Sequence, residues 1–278
     1  MSPIPTTRLG GQDVPVLGQG TWNMGDDPAR RKAEIEALQR GIDLGLRLID
    51  TAEMYGEGAS ERLVGEAIQG RRDDVFVVSK AYPQNASRSR LPQACERSLR
   101  HLGTDHIDLY LLHWRGSVPL AETVEAMQAL RQAGKIRHWG VSNLDVDDME
   151  ELIDAGGTHC ATDQILYNLT RRGPEYDLLP WLEQRQIAAM AYSPVEQGRL
   201  KGHTALQKIA GRHNASDLQV ALAWVLRRQG VIAIPKAASR AHVEDNAGAL
   251  SLTLTEEDLA DLDRAFPPPR AKRALEML

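Results

Sequence analysis

Short apolar runs rich in β-branched residues alternate along this chain with stretches whose apolar positions recur every three or four residues. The runs occupy residues 47–49, 75–79, 107–112, 135–141, 159–165, 187–191 and 231–234. Each has the length of a strand buried on both faces. Between them, Ile35, Leu38, Ile42 and Leu46 share one helical face, as do Leu63, Val64, Ala67 and Ile68. Leu91, Ala94, Cys95, Ser98, Leu99 and Leu102 repeat the pattern, followed by Val124, Met127 and Leu130, then Leu218, Leu222 and Val225. Ser216-x-x-Gln219 is a capping box at the start of the last of these. Gly70 and Gly134 stand where helices should stop.

With residues 17–21 as a first strand, the pattern yields eight strands joined by helical crossovers. Such strands run parallel, because a helix returns the chain to the same end of the sheet. No Pro-rich or Ser-rich linker divides the chain, so the expectation is an α/β fold in one domain spanning residues 1–278, a (β/α)8 TIM barrel. Residues 6–16, with Gly10-Gly11 between two extended pieces, predict an N-terminal hairpin that closes the bottom. An open doubly wound sheet is the competing architecture, but it normally announces a dinucleotide site by G-x-G-x-x-G. Gly18-Gln19-Gly20 supplies only a fragment of that motif.

Composition narrows the partners. A formal charge of -5 offers no net positive field for nucleic acid or an anionic membrane, which leaves small molecules. No apolar run approaches the roughly 20 residues that cross a bilayer, and no charged start leads into an apolar signal core. The cytoplasm is therefore the expected compartment. Cys95 and Cys160 belong to no C-x-x-C pair and imply neither a metal site nor a disulfide. Both are expected as small buried residues, and the basic run Arg270-Ala271-Lys272-Arg273 as solvated tail.

Nearly every apolar run ends in a residue able to bind or react. Asp50, Lys80, His113, Ser142-Asn143, Gln164, Tyr192-Ser193 and Lys236 each follow a predicted strand. In a parallel barrel these ends converge on one rim, where active sites of the fold are built.

The stretches Leu48-Ile49-Asp50-Thr51-Ala52-Glu53-Met54-Tyr55-Gly56, Val78-Ser79-Lys80 and Leu111-Leu112-His113-Trp114 resemble three signatures of the aldo-keto reductases. Gly140-Val141-Ser142-Asn143 and Ile234-Pro235-Lys236 are similar to two more. The likeness runs in family order over residues 14–246 and is greatest to the bacterial, methylglyoxal-reductase-like branch. It implies NADPH-dependent reduction of carbonyls to alcohols by hydride transfer, with Tyr55 as proton donor. Lys80 would lower the Tyr55 pKa, Asp50 would pair with Lys80, and His113 would orient the carbonyl.

The resemblance also implies cofactor contacts from Gly20, Thr21, Asp50, Ser142, Asn143, Gln164, Tyr192, Ser193 and Lys236. Tyr192 would stack on the nicotinamide, Asn143 and Gln164 would hold its carboxamide, and Lys236 would meet the 2′-phosphate. The chain departs from the family pattern at Ala237 and His242, where Ser or Thr and Arg are usual. Ser239 and Arg240 are the expected compensation, with Asn246 at the adenine, and NADH is the less favoured cofactor. Trp22, Met54 and Trp114 are expected to wall the substrate pocket beside Tyr55 and His113. The short loop after Tyr192 and short segment after Phe266 point to an open site for small aldehydes and α-dicarbonyls in a monomer. Two rival functions are an NADP(H)-binding, redox-sensing barrel with little turnover, and a phosphate-handling isomerase. The isomerase lacks support, because residues 232–239 contain no Gly for a phosphate loop.

Overall fold

A computed structural model describes residues 4–278. At its start β1 (Thr6–Leu9) and β2 (Gln12–Pro15) pair antiparallel. Gly10 and Gly11 join them, both at positive φ, where a side chain would be strained. Gly10 also lies against the His138 ring so closely that a Cβ would collide with it.

The rest of the chain runs as strand and helix in turn. The first half comprises β3 (Gln19–Gly20), α1 (Arg31–Asp43), β4 (Leu48–Asp50), α2 (Ala59–Ala67), β5 (Phe76–Ala81), α3 (Leu91–Leu102), β6 (Ile107–Leu112) and α4 (Leu120–Gln132). Next come β7 (Ile136–Ser142), α5 (Val146–Asp154), β8 (Thr162–Leu166), α6 (Leu178–Gln184) and β9 (Ala188–Tyr192). The chain continues with α7 (Thr204–His213), α8 (Asp217–Leu226), β10 (Val231–Ala233), α9 (Arg240–Gly248) and α10 (Glu256–Ala265).

Strands β3 to β10 lie side by side in sequence order, and every neighbouring pair is parallel. Bridges Leu17 to Ala233 and Gly20 to Lys236 join the two edges, so the sheet closes into a barrel. Two apolar layers result. Leu48, Val78, Leu109, Leu111, Met190 and Ile232 fill the barrel, and Leu9 and Val14 of the hairpin join them as its floor. A larger layer lies between strands and helices. The alternation inherent in a strand thus gives most runs two buried faces, which is why runs such as those of β5, β6 and β9 read as largely apolar sequence.

The capping box at Ser216 forms as expected, and a second one, Thr255 with Asp258, starts α10. Helices α5, α6, α7, α9 and α10 were not evident from periodicity. In α9 only Val243 is buried, which leaves too narrow an apolar stripe to read. Among the described residues, no helix is long and apolar enough to cross a membrane.

Candidate active site

The C-terminal ends of the barrel strands bring the expected side chains to one rim. Asp50 closes β4, Lys80 is the penultimate residue of β5, and His113 follows β6. Lys80 is fully buried inside the barrel, a placement that requires its charge to be matched. Its Nζ donates to the Asp50 carboxylate at 2.8 Å, to the Thr51 carbonyl at 2.8 Å and to Tyr55 Oη at 3.2 Å. An ammonium carries three protons, so all of its hydrogen-bonding capacity is assigned. Burial works against the charge of Lys80, but Asp50 and Tyr55 outweigh it and hold its pKa above the usual value.

At Tyr55 the expected lowering by Lys80 is present but outweighed. Burial of the phenol, opposed by Lys80 and reinforced by Asp50, raises its pKa above the ordinary 10.0 rather than lowering it. Desolvating a phenolate costs more here than one shared ammonium returns. Tyr55 therefore holds its proton at neutral pH. His113 packs edge-on to Tyr55, with ring centroids 5.9 Å apart. Burial, aided by the Lys80 charge, pushes the imidazole down to about 2, so the ring is neutral. Its buried Nδ1 has no hydrogen-bond partner.

A second chain of hydrogen bonds runs from Asp50 around the rim. Gln164 Nε2 donates to Asp50 Oδ1 at 2.8 Å, and Ser142 Oγ donates to the Gln164 carbonyl at 2.8 Å. Asn143 Nδ2 donates to the His113 carbonyl at 3.1 Å, and Tyr192 Oη donates to Asn143 Oδ1 at 3.0 Å. Asn143 and Ser193 both occupy positive φ, 61° and 46°, a conformation that aims backbone groups into a site at some cost in strain. Thr21 Oγ1 donates to the Asp50 carbonyl at 2.9 Å, and Gly20 lies at the seam beside Lys236.

Beyond the seam, Lys236, Arg240 and His242 are exposed, and Ser239 caps α9 by accepting from the His242 amide. Neither Lys236 nor Arg240 has a carboxylate partner among the described residues, whereas most arginines here do. Asp245 accepts from Ser216 Oγ at 3.0 Å and so ties α9 to α8; Asn246 follows it, half-buried.

The mouth is aromatic. Trp22 is 44% exposed, and Met54 and Trp114 are half-buried. Trp114 packs 5.0 Å from His113 and 6.1 Å from Tyr82, a wall residue that sequence reasoning missed. Its signal was available: Tyr82 directly follows the end of β5. Glu53 was also missed. Buried in the loop after β4, it accepts from the Tyr82 amide at 2.7 Å and from Asn85 Nδ2 at 2.9 Å, and so fixes the loop that carries Tyr82. On the opposite side, Asn168 Nδ2 donates to the Ser193 carbonyl and to Glu196, which Arg171 and Arg199 also hold. The tail is less free than expected, since Lys272 pairs with Asp147 at 3.3 Å and the Leu278 amide reaches Tyr192 Oη at 3.4 Å. Both cysteines are buried free thiols pushed up to about 12, which leaves them unreactive.

This geometry coincides with a set of clear likenesses. The sequence model of the Aldo/keto reductase family matches residues 16–266. Methylglyoxal reductase YeaE of Escherichia coli (strain K12) is 55% identical over 275 residues, covering 97% of each chain. Glyoxal reductase of Bacillus subtilis (strain 168) is 32% identical, covering 91% of this chain and 89% of its own. An aldo-keto reductase from Klebsiella pneumoniae solved in complex with NADPH has a TM-score of 0.97 at 52% identity, with complete coverage of both chains (100% each). With the family pattern spanning nearly all of the barrel and its rim residues in place, the chain belongs to the aldo/keto reductase family of oxidoreductases.

Proposed function

We propose that the protein uses NADPH to reduce small aldehydes and α-dicarbonyls, methylglyoxal among them, to alcohols, with Tyr55 as the proton donor. The observation that carries this reading is the shared ammonium: Lys80 bonded at once to Asp50 and to the hydroxyl of Tyr55. Similarity to the methylglyoxal reductase YeaE supports the substrate class.

The residues at the rim fit the cofactor. Lys236 and Arg240, exposed and without carboxylates beside the capped N-terminus of α9, form a set suited to a 2′-phosphate. Ser142, Asn143 and Gln164 offer amide and hydroxyl groups for a carboxamide, Tyr192 an aromatic face, and Gly20, Thr21 and Ser193 the adjoining backbone and hydroxyls. Ser239, His242 and Asn246 complete the adenosine end. An imidazole at 242 in place of a guanidinium lowers the margin over NADH without reversing it, since Lys236 keeps a full charge.

When bound, the reduced nicotinamide supplies the hydride. Negative charge then develops on the substrate oxygen, and Tyr55 answers it by giving up its hydroxyl proton. Lys80 stabilises the phenolate left behind, and Asp50 keeps Lys80 from turning away. His113, neutral, donates a ring N–H to the same oxygen and fixes the carbonyl's direction. Trp22, Met54 and Trp114, with Tyr82, border an open mouth that admits a short substrate and shields the reacting bond. We read the protein as a cytoplasmic monomer acting on free small molecules.

Steady-state oxidation of NADPH with methylglyoxal tests the proposal. Turnover is expected in the wild type, and Tyr55→Phe is expected to lower kcat by about 10²- to 10⁴-fold. Absence of turnover by folded protein on a panel of small aldehydes and dicarbonyls would remove the substrate assignment. Equal rates in the two proteins would remove Tyr55 as the acid.

A further inference from the structure

The face of the barrel opposite the active-site rim carries a cleft of about 490 Å³ between the hairpin turn and the entry ends of β7, β8 and β9. Its polar side chains come from four segments: Arg131 near the end of α4, His138 and Trp139 on β7, Thr158 and His159 before β8, and Arg185 after α6. Gly10 and Gly11 form one lip, and the missing Cβ at Gly10 is what allows the turn to lie on the His138 ring.

Three independent features describe what this cleft would hold. The first is charge. Two guanidinium groups line it and no carboxylate does. Neither Arg131 nor Arg185 has a carboxylate partner among the described residues; the Arg185 guanidinium lies 3.9 Å over the Trp181 ring instead. The second is an orphaned donor. Trp139 is 1% exposed, lines the cleft, and its indole Nε1 has no hydrogen-bond partner. Buried indole N–H groups ordinarily find an acceptor. The third is shape and polarity. Trp139, Ile153, Ile187 and Ala161 give the cleft apolar walls beneath its cationic rim. His138 already uses its Nε2 with Gln12, which anchors the hairpin to this wall.

We infer that this cleft is a second binding site, for a small organic anion with an apolar body, such as a phosphate monoester or carboxylate of aromatic or short aliphatic character. The guanidiniums would take the anionic oxygens and Trp139 Nε1 an acceptor on the ligand, while the apolar walls cover its body. The site is separated from the carbonyl chemistry by the full depth of the filled barrel, so occupancy does not compete with NADPH or substrate.

Phenyl phosphate is the probe, titrated calorimetrically into the protein with and without saturating NADPH at low salt. With NADPH saturating, so that the phosphate set at Lys236 and Arg240 is filled, one equivalent is expected to bind, and neutral benzyl alcohol not at all. The paired substitution Arg131→Ala and Arg185→Ala, both at exposed positions that leave the core intact, is expected to weaken binding by at least about tenfold. In ¹⁵N-tryptophan spectra the Trp139 indole resonance, identified by its loss in Trp139→Phe, should move on titration. No binding to the NADPH-saturated protein up to the solubility of the probe, or unchanged affinity in the double variant, would each overturn the assignment. Because binding is read without turnover, failure of the proposed reductase reaction would leave this result intact, and the reverse.

Discussion

Replacing His113 by Gln isolates the cost of keeping an imidazole neutral beside Lys80. Burial first, and the Lys80 charge second, take the folded-state value from 6.5 down to about 2. Above pH 6.5 the ring is neutral in both folded and unfolded chains and contributes no pH dependence. Below that value the unfolded chain binds a proton that the folded one refuses, so stability falls as pH falls, by about 1.4 kcal/mol per unit. The loss continues until the folded ring itself titrates, near 2. Between pH 6.5 and about pH 4.5 this amounts to about 2.7 kcal/mol, a large share of the ~5–15 kcal/mol that holds a typical domain together. Urea unfolding of wild type and His113→Gln through that window reads it directly. All other titrating groups cancel in the difference, so the wild type should lose stability relative to the variant by about 1.4 kcal/mol for each unit of acidification. Parallel curves, or a ring ¹⁵N spectrum of the folded protein that protonates near pH 6.5, would refute the neutral imidazole and its part in orienting the carbonyl.

Asp163 should act in the opposite direction. It is fully buried, and burial drives its pKa well above the ordinary 3.8, opposed by the Leu144 backbone N–H and reinforced by Asp148 and Asp145. The folded chain therefore keeps a proton that the unfolded chain releases above pH 3.8, and stability falls with rising pH by about 1.4 kcal/mol per unit until the raised value is reached. Asp163→Asn should remove that slope, as read by urea unfolding at two pH values inside the window; an unchanged slope would mean that the carboxyl is charged. Lys236→Ala should raise the KM for NADPH at least about tenfold while leaving that for NADH nearly unchanged, since one charge to a phosphate is worth on the order of 1–3 kcal/mol. Equal changes for the two cofactors would place the lysine elsewhere.

The barrel was legible because strand residues are mostly buried, inside the barrel or under the helices, so strands such as β5, β6 and β9 are largely apolar and lead into a polar residue. Those polar ends also revealed Asp50, Lys80 and His113. Helices such as α9 were not legible, since α9 fully buries only one residue, Val243, and so shows no apolar stripe. Glu53 and Asn168 escaped for a different reason. Each works by bonding to the backbone of another loop, Tyr82 in one case and Ser193 in the other, and sequence does not record which loops meet. The direction of the Tyr55 shift escaped as well, because it depends on how far burial outweighs one ammonium.

Because Lys80 has all three of its protons committed, it cannot swing toward an incoming molecule, and the proton-delivering apparatus is anchored in the least deformable layer of the protein. The aromatic border hangs instead from loops outside that layer. Alterations at Trp22, Tyr82 or Trp114 can therefore change which carbonyl compounds gain entry while the acid behind them keeps its strength, so selectivity and chemistry are separable parts of one molecule.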